Sequence, residues 1–404
     1  MNNRSVSLIG LLAATTLLVA ACGSDSKTAA SSSSAAAPAA SSSAAPASSS
    51  SSSESSAAMT SSMSSEAPAA SSSSAAPAAG GVGKIGVILP DSKSSARWET
   101  ADRPALSEAF KAAGVEFDIQ NAQGDKAAMA TIADQMINSG VTVLMIVNLD
   151  NESGAAIEKK AAEAGVKTID YDRLTLGGVA DYYVSFDNVK VGELQGQGLA
   201  GCLGAGDKNI VYLNGSPTDS NATSFSKGAH SVLDPMTNYK VLDEQAVPDW
   251  DNQQAATIFE QMFTAQGGKI DGVLAANDGL GNATISVLKK NGLNGKVFVT
   301  GQDATVEGLQ NILVGDQCMT VYKAIKKVAA AASGLAIALA TGKEGTTNGK
   351  VMDTVSNREV PSVLETPQII TKDNVKDVVD DGYVKAADLC IEAYKAACDA
   401  AGIK

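Results

Sequence analysis

One histidine, two tryptophans, seven phenylalanines and five cysteines in 404 residues leave little material for most kinds of active site. With His230 alone, a multi-histidine metal centre is ruled out, and a Ser-His-Asp triad would have to be built on that residue. His230 falls in a stretch from Asn221 to Leu233 that reads as a helix, where a surface or packed imidazole is the expected role. No Gly-x-Ser-x-Gly elbow and no closely spaced pair of cysteine ligands occurs. Asp91, Asp187 and Asp303 could act as acid and base, but no nucleophile accompanies them. No catalysis, metal or cofactor is therefore expected. Positive charge is short as well, with 31 Lys and Arg against 44 Asp and Glu and a net charge of −13. That is the wrong balance for a phosphate backbone, so nucleic acid is excluded as a partner. After the first 21 residues no apolar run is long enough to span a bilayer.

What is present begins with Met1-Asn2-Asn3-Arg4, a mostly apolar run from Val6 to Ala21, and then Cys22. A short positive start, an apolar segment and small residues before a cut site make residues 1–21 a secretory signal. The segment Leu18-Val19-Ala20-Ala21-Cys22 resembles a bacterial lipobox. That resemblance implies a diacylglycerol on Cys22 and a chain anchored outside the cytoplasm to the cell membrane. Residues 23–80 are almost all Ser, Ala and Pro. Such a segment buries too little apolar surface to offset the entropy of ordering, so 22–81 is expected to be a flexible tether.

From Lys84 onward, short apolar runs alternate with helix-length amphipathic segments. The runs include Ile85–Leu89, Val115–Ile119, Val141–Val147, Val166–Ile169, Tyr182–Phe186, Ile210–Leu213, Gly272–Ala275, Val297–Thr300 and Met319–Tyr322. They are rich in Val and Ile without strict alternation, as parallel strands covered on both faces should be. The alternation specifies α/β layers, and the length of the folded part favours two of them. Gly81-Val82-Gly83-Lys84-Ile85-Gly86 matches the dinucleotide fingerprint literally, but it precedes the first strand instead of following it. Four cysteines follow Cys22, and four allow three pairings. The expectation is Cys390 with Cys398 and Cys202 with Cys318. In one unbroken helix the first two would stand about 12 Å apart, so their pairing requires Cys390 to precede the helix.

Ligands of open α/β sheets bind beyond the carboxyl ends of the strands. Those ends carry Arg97 and Trp98, Asn148 to Asp150, Tyr171-Asp172-Arg173, Gly215 to Asn221, Asn277-Asp278, Gln302-Asp303 and Lys323, with Trp250 in a nearby loop. Planar amides, carboxylates and guanidinium groups can each bond two hydroxyls, while an indole covers an apolar ring face. That combination points to a sugar. About six net hydrogen bonds of roughly 0.5–1.5 kcal/mol each, with ring stacking, could reach a dissociation constant of about 1 μM.

The same residues carry a family resemblance. Ala96-Arg97-Trp98, Tyr171-Asp172-Arg173, Ser185-Phe186-Asp187-Asn188, Gly215-Ser216-Pro217 with Asn221-Ala222, Asn277-Asp278, Gly301-Gln302-Asp303-Ala304 and Thr320-Val321-Tyr322-Lys323 make the chain resemble type I periplasmic sugar-binding proteins of ABC importers, above all the D-xylose receptors. The resemblance implies two Rossmann-like lobes joined by a multi-strand hinge, 82–187 plus 323–355 against 188–322 plus 356–404, with a last crossing around 350 to 360. It implies sugar ligands at Arg97, Arg173, Asn221, Asn277, Asp303 and Lys323, with Trp98 and Trp250 against the ring. It also implies a monomer that delivers a monosaccharide to an ABC permease. Ser94-Ser95-Ala96 before Arg97 looks more like the multi-sugar receptors for glucose, galactose and xylose, which leaves open a receptor that also feeds chemotaxis or a sensor kinase. A furanose or inositol binder is the third reading, and the two tryptophans favour a pyranose over it.

Overall fold

The computed structural model describes residues 82–404, so the secretory signal, Cys22 and the Ser/Ala/Pro tether lie outside the described residues. Strands β1 (Lys84–Leu89), β2 (Phe117–Asn121), β3 (Val141–Ile146), β4 (Lys167–Tyr171) and β5 (Tyr182–Phe186) come first, with a helix after each except β4, which a loop joins to β5. There follow β6 (Lys208–Asn214), β7 (Tyr239–Ala246), β8 (Gly272–Ala275), β9 (Phe298–Val299) and β10 (Thr320–Tyr322). The chain ends with β11 (Gly349–Asp353), β12 (Arg358–Glu365), β13 (Gln368–Ile370) and short helices.

These strands form two principal sheets. The first has the order β11-β12-β5-β4-β3-β1-β2, parallel except for the β11–β12 hairpin at one edge. The second, β7-β6-β8-β9, is parallel throughout, and an antiparallel pair β10-β13 accompanies it. Each sheet is buried between helices. Ile85, Val87, Val143, Met145, Val184 and Phe186 form the first core with Val328, Ala332 and Ala336 of the helix Ile325–Ala340. Val211, Leu213, Val273 and Val299 form the second with Phe259, Leu280 and Leu288. This is the two-lobed α/β architecture expected from the alternation of apolar runs.

The helices begin where the strands end, and their caps explain much of the polar pattern there. Asp150, Asp187, Asp219, Asp251, Asn277 and Thr305 each accept a backbone N–H in the first turn of a helix. One side-chain oxygen per residue is used in this way. Of these six, Asp219 and Asn277 also line the cleft.

The division expected at 355/356 is corrected by the strand pairing. Ser362 to Glu365 of β12 pair in parallel with Tyr183 to Phe186, and Arg358 donates through Nη1 to Ala180 O. Residues 358–365 thus belong to the first sheet, and the third crossing falls between Glu365 and Gln368 instead of around 350 to 360. The other crossings lie at Asp187 and between Tyr322 and Ile325. Asp187 N donates to Glu365 O at 3.0 Å and so stitches two of the crossings together. The hairpin escaped the sequence reading because its exposed face carries Lys350 and Glu359, which break up the apolar pattern.

Disulfides join Cys202 to Cys318 and Cys390 to Cys398, with Cα–Cα distances of 6.4 and 5.8 Å. Cys390 closes the short turn Ala386–Leu389, and Cys398 lies in the next helix, Lys395–Ala400. The interruption of the helix between them brings the two cysteines within bonding reach. No helix among the described residues is long and apolar enough to cross a membrane.

Candidate functional site

A small cavity lies between the sheets, at the carboxyl ends of their strands. All eight side chains singled out from the sequence as sugar contacts line it: Arg97, Trp98, Arg173, Asn221, Trp250, Asn277, Asp303 and Lys323. Asp172, Asp219, Phe225 and Gln302 complete the wall together with Ser94 and Ser95. The first lobe contributes two arginines and an indole. The second contributes Asn277, Asp303 and the other indole, and Lys323 comes from a crossing.

Charge in the cavity is paired throughout. Arg97 donates through Nε and Nη2 to Asp102, both at 2.9 Å, and through Nη1 to Asp172 at 2.9 Å. Burial alone would lower the pKa of Arg97, but the two carboxylates outweigh it and raise it well above the ordinary value. For Asp172, burial acts to raise the pKa, and Arg97, Lys323 and Arg173 more than reverse this, so its carboxyl is held below the usual range. Arg173 Nε lies 3.0 Å from Asp219 Oδ2, and Lys323 Nζ lies 3.0 Å from Asp303 Oδ1. Neither contact has hydrogen-bond geometry from the side of Arg173 Nε or Asp303 Oδ1, which are buried polar atoms without a hydrogen-bond partner. Asn277 uses Oδ1 to cap its helix at Leu280 N, which leaves the amide N–H groups as donors. Its neighbour Asp278 faces away from the role of ligand. It accepts from Thr305 N, Thr305 Oγ1, Gln317 Nε2 and Thr320 Oγ1, and burial pushes its carboxyl up to about 6.

The two indoles are fixed by different means. Trp98 lies under Arg97, whose guanidinium carbon is 4.3 Å from the ring centroid, and its Nε1 donates to Ser94 Oγ at 3.3 Å. Trp250 donates through Nε1 to Asp219 Oδ2 at 3.1 Å. Its backbone is left-handed, with φ 55° after Asp249 at 54°. Asp172 at 67° and Asp303 at 97° share that unusual conformation, so three wall residues sit on strained backbone.

Asn221 is on the wall, but its amide is engaged elsewhere. Nδ2 donates to Asp172 O at 2.9 Å, and Oδ1 accepts from Asn188 Nδ2 at 2.7 Å and Tyr183 Oη at 3.2 Å. Asp172 and Tyr183 belong to the first lobe and Asn221 to the second, so this side chain ties the two lobes together. Ser220 Oγ to Leu174 O at 2.8 Å reinforces it. Asn221→Ala is expected to weaken ligand affinity about five- to tenfold and to expand the ligand-free chain in small-angle scattering. Lost affinity with unchanged scattering would make Asn221 a plain contact residue.

Asp172 and Gln302 stood inside the quoted motifs, and Asp219 inside the strand end Gly215 to Asn221, without being chosen as ligands. Asp102 had no signal at all. It lies in the first helix, five residues after Arg97, and only the π-helical turn Trp98–Asp102 brings it back to the guanidinium.

Residues 85–344 match the family model described as periplasmic binding protein domain. The chain belongs to the periplasmic binding protein family. It is a binding protein and not an enzyme. This periplasmic binding protein is 37% identical over 312 residues to the D-xylose-binding periplasmic protein of Escherichia coli, covering 76% of this chain and 92% of the relative. It is 33% identical over 329 residues to a multiple sugar-binding periplasmic receptor of Rhizobium radiobacter, with 76% and 92% covered. A carbohydrate transporter solute-binding protein from Chloroflexus aurantiacus, solved with D-glucose, superposes with a TM-score of 0.69 at 29% identity, covering 75% of this chain and 97% of the other.

Proposed function

We propose that the protein is the extracytoplasmic receptor of an ABC sugar importer. It captures a neutral monosaccharide, D-xylose first among candidates, between its lobes and delivers it to the permease. The observation that carries this reading is the charge balance of the cavity. Arg97, Arg173 and Lys323 each stand beside a carboxylate within 3.0 Å, so a charged ligand would leave a buried charge uncompensated. A neutral ring with several hydroxyls satisfies the free N–H groups and the open acceptors, and the indoles of Trp98 and Trp250 cover its C–H faces. Arg97, Arg173 and Trp98 on one side, with Asn277, Asp303 and Trp250 on the other, let such a ligand favour the closed form through contacts that the open form makes only in part. The names of the relatives agree with this chemistry.

A multi-sugar receptor is the second reading. It is favoured by the Ser94-Ser95-Ala96 loop beside Arg97 and by a multiple sugar-binding relative at 33% identity. In either case the segment before Cys22 and the lipobox-like Leu18 to Cys22 support a lipid anchor on that cysteine.

A thermal-shift and calorimetric screen against xylose, glucose, galactose, arabinose, ribose and inositol tests the proposal. Xylose is expected to raise the melting temperature by mass action, while a sugar phosphate and a uronic acid leave it unchanged. Comparable shifts with glucose or galactose would select the multi-sugar reading. Silence across the neutral sugars would remove the proposal.

A further inference from the structure

We infer that Gln302 is a specificity-determining residue, an acceptor of fixed orientation that selects for one particular ring hydroxyl. The inference rests on the sugar-receptor reading and extends it to a residue that lies in a quoted motif but was not among the expected ligands and takes part in no ion pair. Gln302 is 2% exposed and lines the cavity. Its Nε2 donates to Ala276 O at 3.2 Å. Because a backbone carbonyl can only accept, that contact decides which end of the amide is which. Oε1 is therefore the opposite end, and it is buried with no hydrogen-bond partner.

The backbone explains how this side chain comes to face the same space as its neighbour. In an extended strand, Gln302 and Asp303 would point to opposite faces. The left-handed backbone at Asp303, φ 97°, and at Ala304, φ 51°, ends that alternation, and both side chains line the cavity. Two backbone bonds hold the segment: Asp278 N donates to Gln302 O at 2.9 Å, and Asp303 N donates to Val321 O at 2.8 Å. Arg97, Arg173, Lys323 and Asn277 all offer donors, so most of the wall is tolerant of which hydroxyl it meets. A hydroxyl can turn to suit a donor or an acceptor, but Gln302 Oε1 can only accept. A ring position that presents hydrogen, or an inverted hydroxyl, leaves this atom buried and unmet, and such sites discriminate more sharply than apolar contacts do.

The test is titration calorimetry of the whole receptor and of Gln302→Leu with D-xylose, D-glucose and their monodeoxy analogues. Leucine keeps the size and removes the acceptor. The expected result is a roughly ten- to hundredfold loss of affinity for the parent sugar in the variant. One monodeoxy analogue should bind wild type and variant equally, because it lacks the hydroxyl that Gln302 reads. An unchanged affinity in Gln302→Leu would overturn the inference, and so would an equal loss for every analogue, which would mark a merely structural role. Should the leucine variant not fold by circular dichroism, Gln302→Met takes its place with the same expectations. Wild-type silence toward both parent sugars would overturn the receptor reading and this inference with it, whereas wild-type binding with an indifferent Gln302 variant would overturn the inference alone.

Discussion

Asp102→Ala is expected to lower the stability of the folded chain by about 3–5 kcal/mol, the usual cost of leaving one partner of a buried ion pair alone. Asp102 is fully buried and accepts from Arg97 Nε, from Arg97 Nη2 and from Tyr171 Oη at 2.5 Å. Its removal leaves Arg97 with Asp172 as the one remaining carboxylate and leaves the Tyr171 hydroxyl without its acceptor. Asp102→Asn would fare little better, since one of its two acceptors becomes an NH2 group facing a guanidinium. Urea unfolding followed by circular dichroism measures the loss. The pair of substitutions Arg97→Met with Asp102→Leu separates folding from binding. Apolar replacement of both partners should recover only part of the stability, because the Tyr171 hydroxyl and the Asp172 carboxylate lose their partners, and none of the sugar affinity if Arg97 is the donor proposed for the ligand. Unchanged stability in Asp102→Ala would mean that water reaches Arg97 and that the guanidinium is not held by Asp102.

Why Asp102 was invisible in the sequence, while Asp303 was not, is a matter of local geometry. Asp303 stands at the end of an apolar run, where the topology of α/β sheets already places ligand groups. Asp102 sits inside a helix whose π-helical first turn changes the facing of each side chain, and a helix of ordinary pitch would not return residue 102 to residue 97 in the same way. The two sheets themselves were legible because buried parallel strands such as Val141–Ile146 and Gly272–Ala275 are continuous apolar runs. The edge hairpin Gly349–Glu365 was not, since one face of it meets solvent and its pattern is mixed. The misplaced third crossing follows from that missed hairpin. Asn221 illustrates a different limit. Residue type and position put it on the cavity wall, but only the three-dimensional arrangement shows its amide engaged with Asp172, Tyr183 and Asn188. A ligand and a latch look the same in sequence.

Gly215→Ala should lower sugar affinity by about thirtyfold or more, the scale of losing a central aromatic contact of about 2 kcal/mol. Gly215 follows β6, and a β-carbon there would stand 2.0 Å from Trp250 Cη2 and 2.2 Å from Cζ2. The indole thus lies flat against bare backbone, and a methyl group would force it to retreat by more than 1 Å from a close-packed wall. Retreat is costly because Trp250 is held at both ends, by Nε1 on Asp219 and by the strained turn at Asp249 and Trp250. Asp219 also stands beside Arg173, so the displacement would propagate to the first lobe. Calorimetry with D-xylose reads the affinity. Tryptophan emission reads the indole, since Trp98 and Trp250 are the only two in the chain and Trp98→Phe leaves Trp250 alone. If Gly215 acts by seating Trp250, the double variant Gly215→Ala with Trp250→Ala should bind no more weakly than Trp250→Ala by itself. Additive losses would instead mean that Gly215 serves the site by another route, such as a direct approach of its backbone to the sugar.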